Sequence, residues 1–236
     1  EWLPQWPDHR GDLAVITLAE PAPVWAARYP LYAGDAEVGR PMVLVGYGHP
    51  GHGSAGMDDG AEELPLQRAG RNRYEAVRDD YEGVDFLAYD FDSGLEENNA
   101  LAVIDVSSDL GFGGDEANAA SGDSGGPAFV NGAIAGVMAF GGRFPGTDVT
   151  DELDSSWGEA SFDTRVSQFR EFILEATEGQ ALFVYDGDYT KDGAVDGSDF
   201  LLWQRQYGAT GFPAADGDGD GSVTEAELAI WQVSFG

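Results

Sequence analysis

Between residues 12 and 140 the apolar runs are all of strand length and are closed by turn residues: "LAVITL", "PMVLVGYG", "FLAYDF", "NALAVIDV", "PAFVNG" and "AIAGVMAF". Short β-branched segments at regular spacing are the pattern of a sandwich or barrel, in which each strand buries one face. The 34 glycines suit the turns between them, and 42% hydrophobic with 12% aromatic residues is enough to build a core. Helical periodicity is clear over residues 164–177, where Val166, Phe169, Phe172 and Ile173 form one stripe. The Glu178 and Gly179 pair that follows suits a C-terminal stop.

Charge narrows the partners. Lys plus Arg number 12 against 43 Asp plus Glu, a formal net charge of −31, and Lys191 is the single lysine. Nucleic acid and anionic membranes are repelled by such a surface. The excess acid serves either solubility, as in a salty habitat, or the binding of divalent cations, and only local spacing separates the two. There is no cysteine, hence no disulfide framework, and no apolar run is long enough for a membrane span. The first residue is Glu1, and no leader-like stretch comes before "DLAVITL". That predicts a processed, trimmed or partial chain.

Residues 118–127 read "NAASGDSGGP". A serine hydroxyl is a weak nucleophile at neutral pH, so a hydrolase must set a base against it and aim backbone N–H groups at the developing oxyanion. Glycines on either side allow the close approach of backbone and substrate. The six residues "GDSGGP" resemble the nucleophile motif of the trypsin/chymotrypsin family of serine peptidases. "GDLAVITLAEPAP" resembles the segment bearing the catalytic aspartate, "MVLVGYG" the next strand, "IAGVMAFGG" the strand that pairs with substrate backbone, and "FDTRVSQFREFI" the closing strand and helix. The resemblance covers about residues 11–176 and implies Ser124 as nucleophile, Asp12 as orienting acid, and the N–H groups of Gly122 and Ser124 as the oxyanion hole. It implies that Asp123 is the buried carboxylate that meets a freed N-terminus on activation. Substrate is expected at Asn118, on the pocket floor, and along Ala139, Phe140 and Gly141. Asp163 is expected on the far pocket wall, favouring a basic side chain. Ala139 departs from the family serine that supports the catalytic aspartate.

The family order is His, Asp, Ser, with the histidine roughly 45 residues before the aspartate. Only eleven residues precede Asp12. His9 lies too close to Asp12 in sequence to act as the base and is read as a surface residue, and His49 and His52 as loop residues beside the cleft. The histidine is therefore expected upstream of Glu1, with the isolated chain inactive.

The last fifty residues have a different logic. "DYTKDGAVDGSDFLLWQRQYG" and "DGDGDGSVTEAELAIWQVSFG" repeat each other: Asp188, Trp203 and Gly208 recur 28 residues on at Asp216, Trp231 and Gly236. A twelve-residue calcium loop takes oxygen ligands from positions 1, 3, 5, 7, 9 and 12, with glycine at 6. Asp216, Asp218, Asp220, Ser222 (by its carbonyl), Thr224 and Glu227 fit that pattern fully around Gly221. Asp188, Thr190, Asp192, Ala194 (by its carbonyl), Asp196 and Asp199 fit it around Gly193, with Thr190 the weaker ligand. Two Ca2+ sites of unequal strength are expected, with ion binding coupled to folding and Trp203 packed against Trp231. Paired loop–helix repeats of this kind resemble dockerin modules of bacterial extracellular proteins, which implies a cohesin-type scaffold or cell-surface partner.

The expected fold is mainly β: a chymotrypsin-like double β-barrel, its first barrel incomplete, with a C-terminal helix, plus a small α-helical calcium-binding dockerin-like module. Residues 1–178 are expected to form the peptidase domain, 179–185 a linker and 186–236 the module. The resemblance implies a secreted bacterial serine endopeptidase acting on protein or peptide substrates. The rivals are a non-catalytic protease-like binding protein displayed through the same tail, and one part of a cleaved two-chain enzyme.

Overall fold

The computed structural model describes residues 11–58, 60, 66–81, 83–211 and 213–235. Seven strands form its main body: β2 (Pro41–Gly46), β5 (Arg68–Arg73), β6 (Ala76–Tyr81), β7 (Val84–Phe91), β8 (Pro127–Val130), β9 (Ala133–Arg143) and β10 (Glu159–Arg165). They lie in the order β5-β2-β8-β9-β10-β7-β6. β5 and β6, at the two ends, follow each other through Tyr74 and Glu75, and the Asn72 side-chain amide on β5 donates to the Asp90 carbonyl on β7 at 2.8 Å. The sheet thus curls back on itself around Met42, Leu44, Tyr74, Leu87, Tyr89, Ala128 and Val130, all buried. Register shifts at Ala128/Phe129 and Phe162/Asp163 add the local twist that such curling needs.

Four short strands complete the sheets. β1 (Leu31–Tyr32) runs parallel to β11 (Phe183–Val184) and to β9, while β3 (Gly51–His52) pairs with β4 (Gly56–Met57) in a small hairpin. α1 (Arg170–Ala176) packs Ile173 and Phe172 against Phe183, Val166, Leu13 and Val15 on the outside of the barrel. In the tail, α2 (Gly197–Gln206) and α3 (Glu225–Ser234) each begin with a full capping box, from Asp196 and Thr224. Their core is Tyr189, Ala215 and Val223, with Leu202, Trp203 and Trp231 packed around it. Each tryptophan also donates its indole N–H to the opposite loop, Trp203 to the Thr224 carbonyl (2.8 Å) and Trp231 to the Asp196 carbonyl (2.9 Å). The two repeats are tied together crosswise.

Several local expectations are corrected. "LAVITL" forms no strand, although Leu13 and Val15 still pack inward. "NALAVIDV" holds a 3-10 turn over Leu101–Ile104: the Asn99 side chain accepts from the Ala102 N–H (2.7 Å), a local bond that an extended chain cannot make, and Asp90 accepts from the Leu101 N–H (2.9 Å). The helix is shorter than its apolar stripe. Residues up to Arg165 belong to β10 and Val166–Phe169 to a 3-10 turn. Residues 179–185 are no free linker: Phe183 and Val184 are buried in strand pairing. The helix stop at Glu178 and Gly179 is built as read, with φ of 52° and 75° and the Gly179 N–H returning to the Leu174 carbonyl.

Candidate active site

Residues 120–126 make two successive tight turns, closed by Asp123 N–H to Ala120 O (3.0 Å) and Gly126 N–H to Asp123 O (2.8 Å). Gly122 and Gly125 hold φ of 94° and 82°, the left-handed region in which a side chain is strained. β9 anchors the loop from one side, with Gly125 N–H to Met138 O at 2.8 Å and Met138 N–H to Gly126 O at 2.9 Å. From the other side His49 N–H donates to Ser121 O at 2.9 Å. Ser124 stands exposed at the apex. Among the described residues, neither its N–H nor that of Gly122 has a hydrogen-bond acceptor.

The Asp123 carboxylate fixes the loop from behind, accepting from Gly48 N–H (2.7 Å) and Ala120 N–H (3.0 Å). Glycine is required on the facing strand, since a Cβ on Gly46 would lie 1.9 Å from Asp123 Oδ1. A cleft of about 310 Å³ opens behind the loop, lined by Gly46, Gly48, Asn118, Asp123, Met138 and Trp157. Asn118 therefore lies in a cleft, but Ser124 is not on its wall.

Asn118 Oδ1 accepts from Ser161 Oγ at 2.7 Å. Ser161 faces Gly141 across β9 and β10, and Phe140 stacks on Phe162 with centroids 4.9 Å apart. Ser161 and Phe162 are consecutive in β10 and point to opposite faces, so Asn118 and Phe140 lie on opposite sides of the sheet. Asp163, expected on the pocket wall, is not there. Two residues beyond Ser161 in β10, it shares that residue's inward face, where it is 1% exposed and accepts from Tyr74 Oη at 2.6 Å. Burial pushes its carboxyl up to about 7 against the pull of that hydrogen bond. Ser161 was the residue missed, since its bond to Asn118 joins positions 43 residues apart and leaves no local signal in sequence.

Asp12 is exposed, its carbonyl accepts from Thr164 Oγ1 at 3.1 Å, and its carboxylate has no partner among the described residues. Ala139 is half-buried and offers no hydroxyl. His52 is exposed, bonded to Ser54 Oγ (3.0 Å) and set edge-on to Trp157; His49 is half-buried in the cleft wall. His9 lies outside the described residues.

In the tail, the loop geometry differs between the repeats. Asp216 accepts from Gly219 N–H and Gly221 N–H, both at 2.9 Å, and the carboxylates of Asp216, Asp218 and Asp220 converge within 4.8 Å. Glu227 is fully buried; its Oε2 accepts from Thr224 N–H at 2.6 Å, while its Oε1 has no partner among the described residues. A buried carboxylate oxygen with no partner has an unmet need for a donor or a cation. In the first repeat Asp188 accepts from Asp192 N–H (3.2 Å) and Gly193 N–H (2.8 Å), but the shorter Asp199 has both oxygens occupied, by Thr190 N–H and Asp196 N–H at 2.8 Å each. A second group, Asp148, Asp154 and Glu159, also converges in the β9–β10 connection. It is taken up internally, by Arg143 on Asp148 (2.8 Å), Ser156 Oγ on Asp148 (2.8 Å) and Asp154 N–H on Glu159 (2.8 Å).

Residues 2–173 match the protein family described as Trypsin. No curated protein matches the chain. Among solved structures, mouse neuropsin, a serine protease expressed in the limbic system of the brain, is 13% identical over 64% of this chain and 54% of its own, with a TM-score of 0.39. A mutant of human heparin binding protein (CAP37) is 16% identical over 74% of this chain and 56% of its own, also with a TM-score of 0.39. The chain thus spans about half the length of the solved structures it matches.

Proposed function

The chain belongs to the trypsin family, and from that premise we propose that it is a serine endopeptidase with Ser124 as its nucleophile. The observation that carries the reading is the exposed Ser124 hydroxyl beside two N–H groups, of Gly122 and Ser124, that no described residue takes up. Ser124 Oγ attacks the scissile carbonyl as a histidine takes its proton, and the two N–H groups stabilise the resulting oxyanion. The histidine comes from sequence N-terminal to Glu1, and Asp12 orients it once the imidazole is there to accept from. Gly141 pairs with substrate backbone, and the side chain before the scissile bond is met by Asn118, held in place by Ser161. An amide and a hydroxyl at that floor favour a polar, uncharged side chain over a basic one.

The tail is a calcium-binding, dockerin-like tether to a cohesin-type or cell-surface partner, in keeping with a secreted enzyme. Asp216, Asp218, Asp220, Ser222, Thr224 and Glu227 hold the tighter ion; Asp188, Thr190, Asp192, Ala194, Asp196 and Asp199 hold the weaker one. When bound, calcium supplies charge neutralisation that lets the loops close, and it takes no part in peptide hydrolysis.

The test is casein hydrolysis by three proteins: the chain of 236 residues, the same chain with its upstream coding sequence, and that longer chain carrying Ser124→Ala. Activity confined to the second supports the proposal. The exposed Asp12 carboxylate and the absent hydroxyl at Ala139 favour a second reading, a protease-like domain that binds and does not cleave. An inactive longer chain selects it.

A further inference from the structure

The barrel grips both calcium loops. Arg40, 9% exposed, donates to the Gly217 carbonyl at 2.8 Å and pairs with Asp186 at 2.7 Å. Asn131 Nδ2 donates to the same Gly217 carbonyl at 2.8 Å, and Tyr32 Oη to Asp186 at 2.8 Å. Lys191 Nζ donates to the Asn131 carbonyl at 2.5 Å. Gly217 sits between Asp216 and Asp218 in the second loop, and Lys191 between Thr190 and Asp192 in the first. Every one of these bonds meets a loop, or its entry at Asp186, from the barrel side at β1, the residue before β2 or the β8–β9 turn. Two of the chain's twelve cations lie in this contact, in a molecule of charge −31.

We propose that the two calcium loops are an internal docking surface whose partner is the barrel of the same chain, and that ion binding clamps the tail to the β8–β9 turn. The proposal rests on the calcium reading above. The position of the Gly217 carbonyl is set by the ligands on either side of it. With Asp216, Asp218 and Asp220 unneutralised, mutual repulsion opens the loop and takes that acceptor away from Arg40 and Asn131. A buried guanidinium that loses one of its two acceptors, keeping only Asp186, is less well satisfied, so the docked state and the ion-bound state favour each other. By linkage, calcium then stabilises the barrel as well as the tail. The β8–β9 turn closes the strand that begins just after the Ser124 loop, so the clamp fixes the far end of the segment carrying the nucleophile.

The test is hydrogen exchange on the intact chain, in chelator and in saturating calcium, beside titration calorimetry with calcium alone. Protection of amides in residues 127–135 is expected to rise by about tenfold or more on adding calcium, as a local opening becomes coupled to ion release. The double variant Arg40→Met, Lys191→Met is expected to bind calcium with the same stoichiometry and lose that rise. Calcium binding with no change of exchange at 127–135 in the unaltered chain overturns the clamp, and this comparison stands even if the double variant does not fold. No calcium binding by calorimetry overturns the calcium reading itself, a separate failure.

Discussion

Asp163 joins a fully buried carboxyl to a single hydrogen bond, from Tyr74, and leaves its second oxygen without a partner among the described residues. Its folded pKa of about 7 lies above the ordinary carboxylate value. Below that ordinary value both states are protonated and the site costs nothing; as pH rises the unfolded chain ionises first, and stability falls until the folded carboxyl also ionises near 7. The full loss is about 4 kcal/mol at one pKa unit per 1.36 kcal/mol. Asp163→Asn cannot ionise, so its stability relative to the parent should improve as pH is raised from 5 to 8, read as urea midpoints; a constant difference would contradict this. Gly46→Ala should cost about 1–3 kcal/mol by forcing its Cβ onto Asp123. The cost should shrink in an Asp123→Gly background, a non-additivity that unfolding midpoints resolve. The nucleophile loop was readable because its glycines and serine are adjacent in the chain. Asp163 was not, since its depth is set by contacts distant in sequence, such as that with Tyr74.

At the level of elements, sequence periodicity reported apolar strands and little else. β2, β7, β8 and β9 announce themselves because their inward faces are aliphatic or aromatic. β5, "RAGRNR", and β6, "AVRDDY", carry mostly polar residues and are held by pairing to β2 and β7. β11 is two residues long, and its parallel partner is some 150 residues away, beyond any local signal. The tail is the opposite case, because a loop with ligands at fixed offsets dictates its own helix starts. Thr224 caps α3 and bonds through its N–H and hydroxyl to Glu227, which the proposed calcium site would also use. Thr224→Ala should therefore lower stability by about 1 kcal/mol through the cap alone, and in addition weaken the second calcium site while leaving the first unchanged. Calorimetry that shows equal weakening of both sites would remove that link.

For the molecule as a whole, the charge of −31 was legible and its distribution was not. Part of it is buried. Asp90 is fully buried and raised to about 9, first by burial and then by the Glu75 charge; Glu116 is raised to about 8 and Glu159 to about 7, both chiefly by burial. With Asp163, four carboxyls bind protons more tightly folded than unfolded, so each withdraws stability as pH climbs from the ordinary carboxylate range through its own folded value. Surface repulsion among the remaining acids acts in the same direction, because deprotonation only adds negative charge. In chelator, which keeps calcium from screening the tail, the melting temperature should therefore fall steadily from pH 6 to pH 9. Asp90→Asn should flatten the alkaline end of that fall, between pH 8 and 9, where the other three groups have already ionised. A melting temperature that rises over this range would mean that the buried acids are neutralised by a partner charge and not by protons.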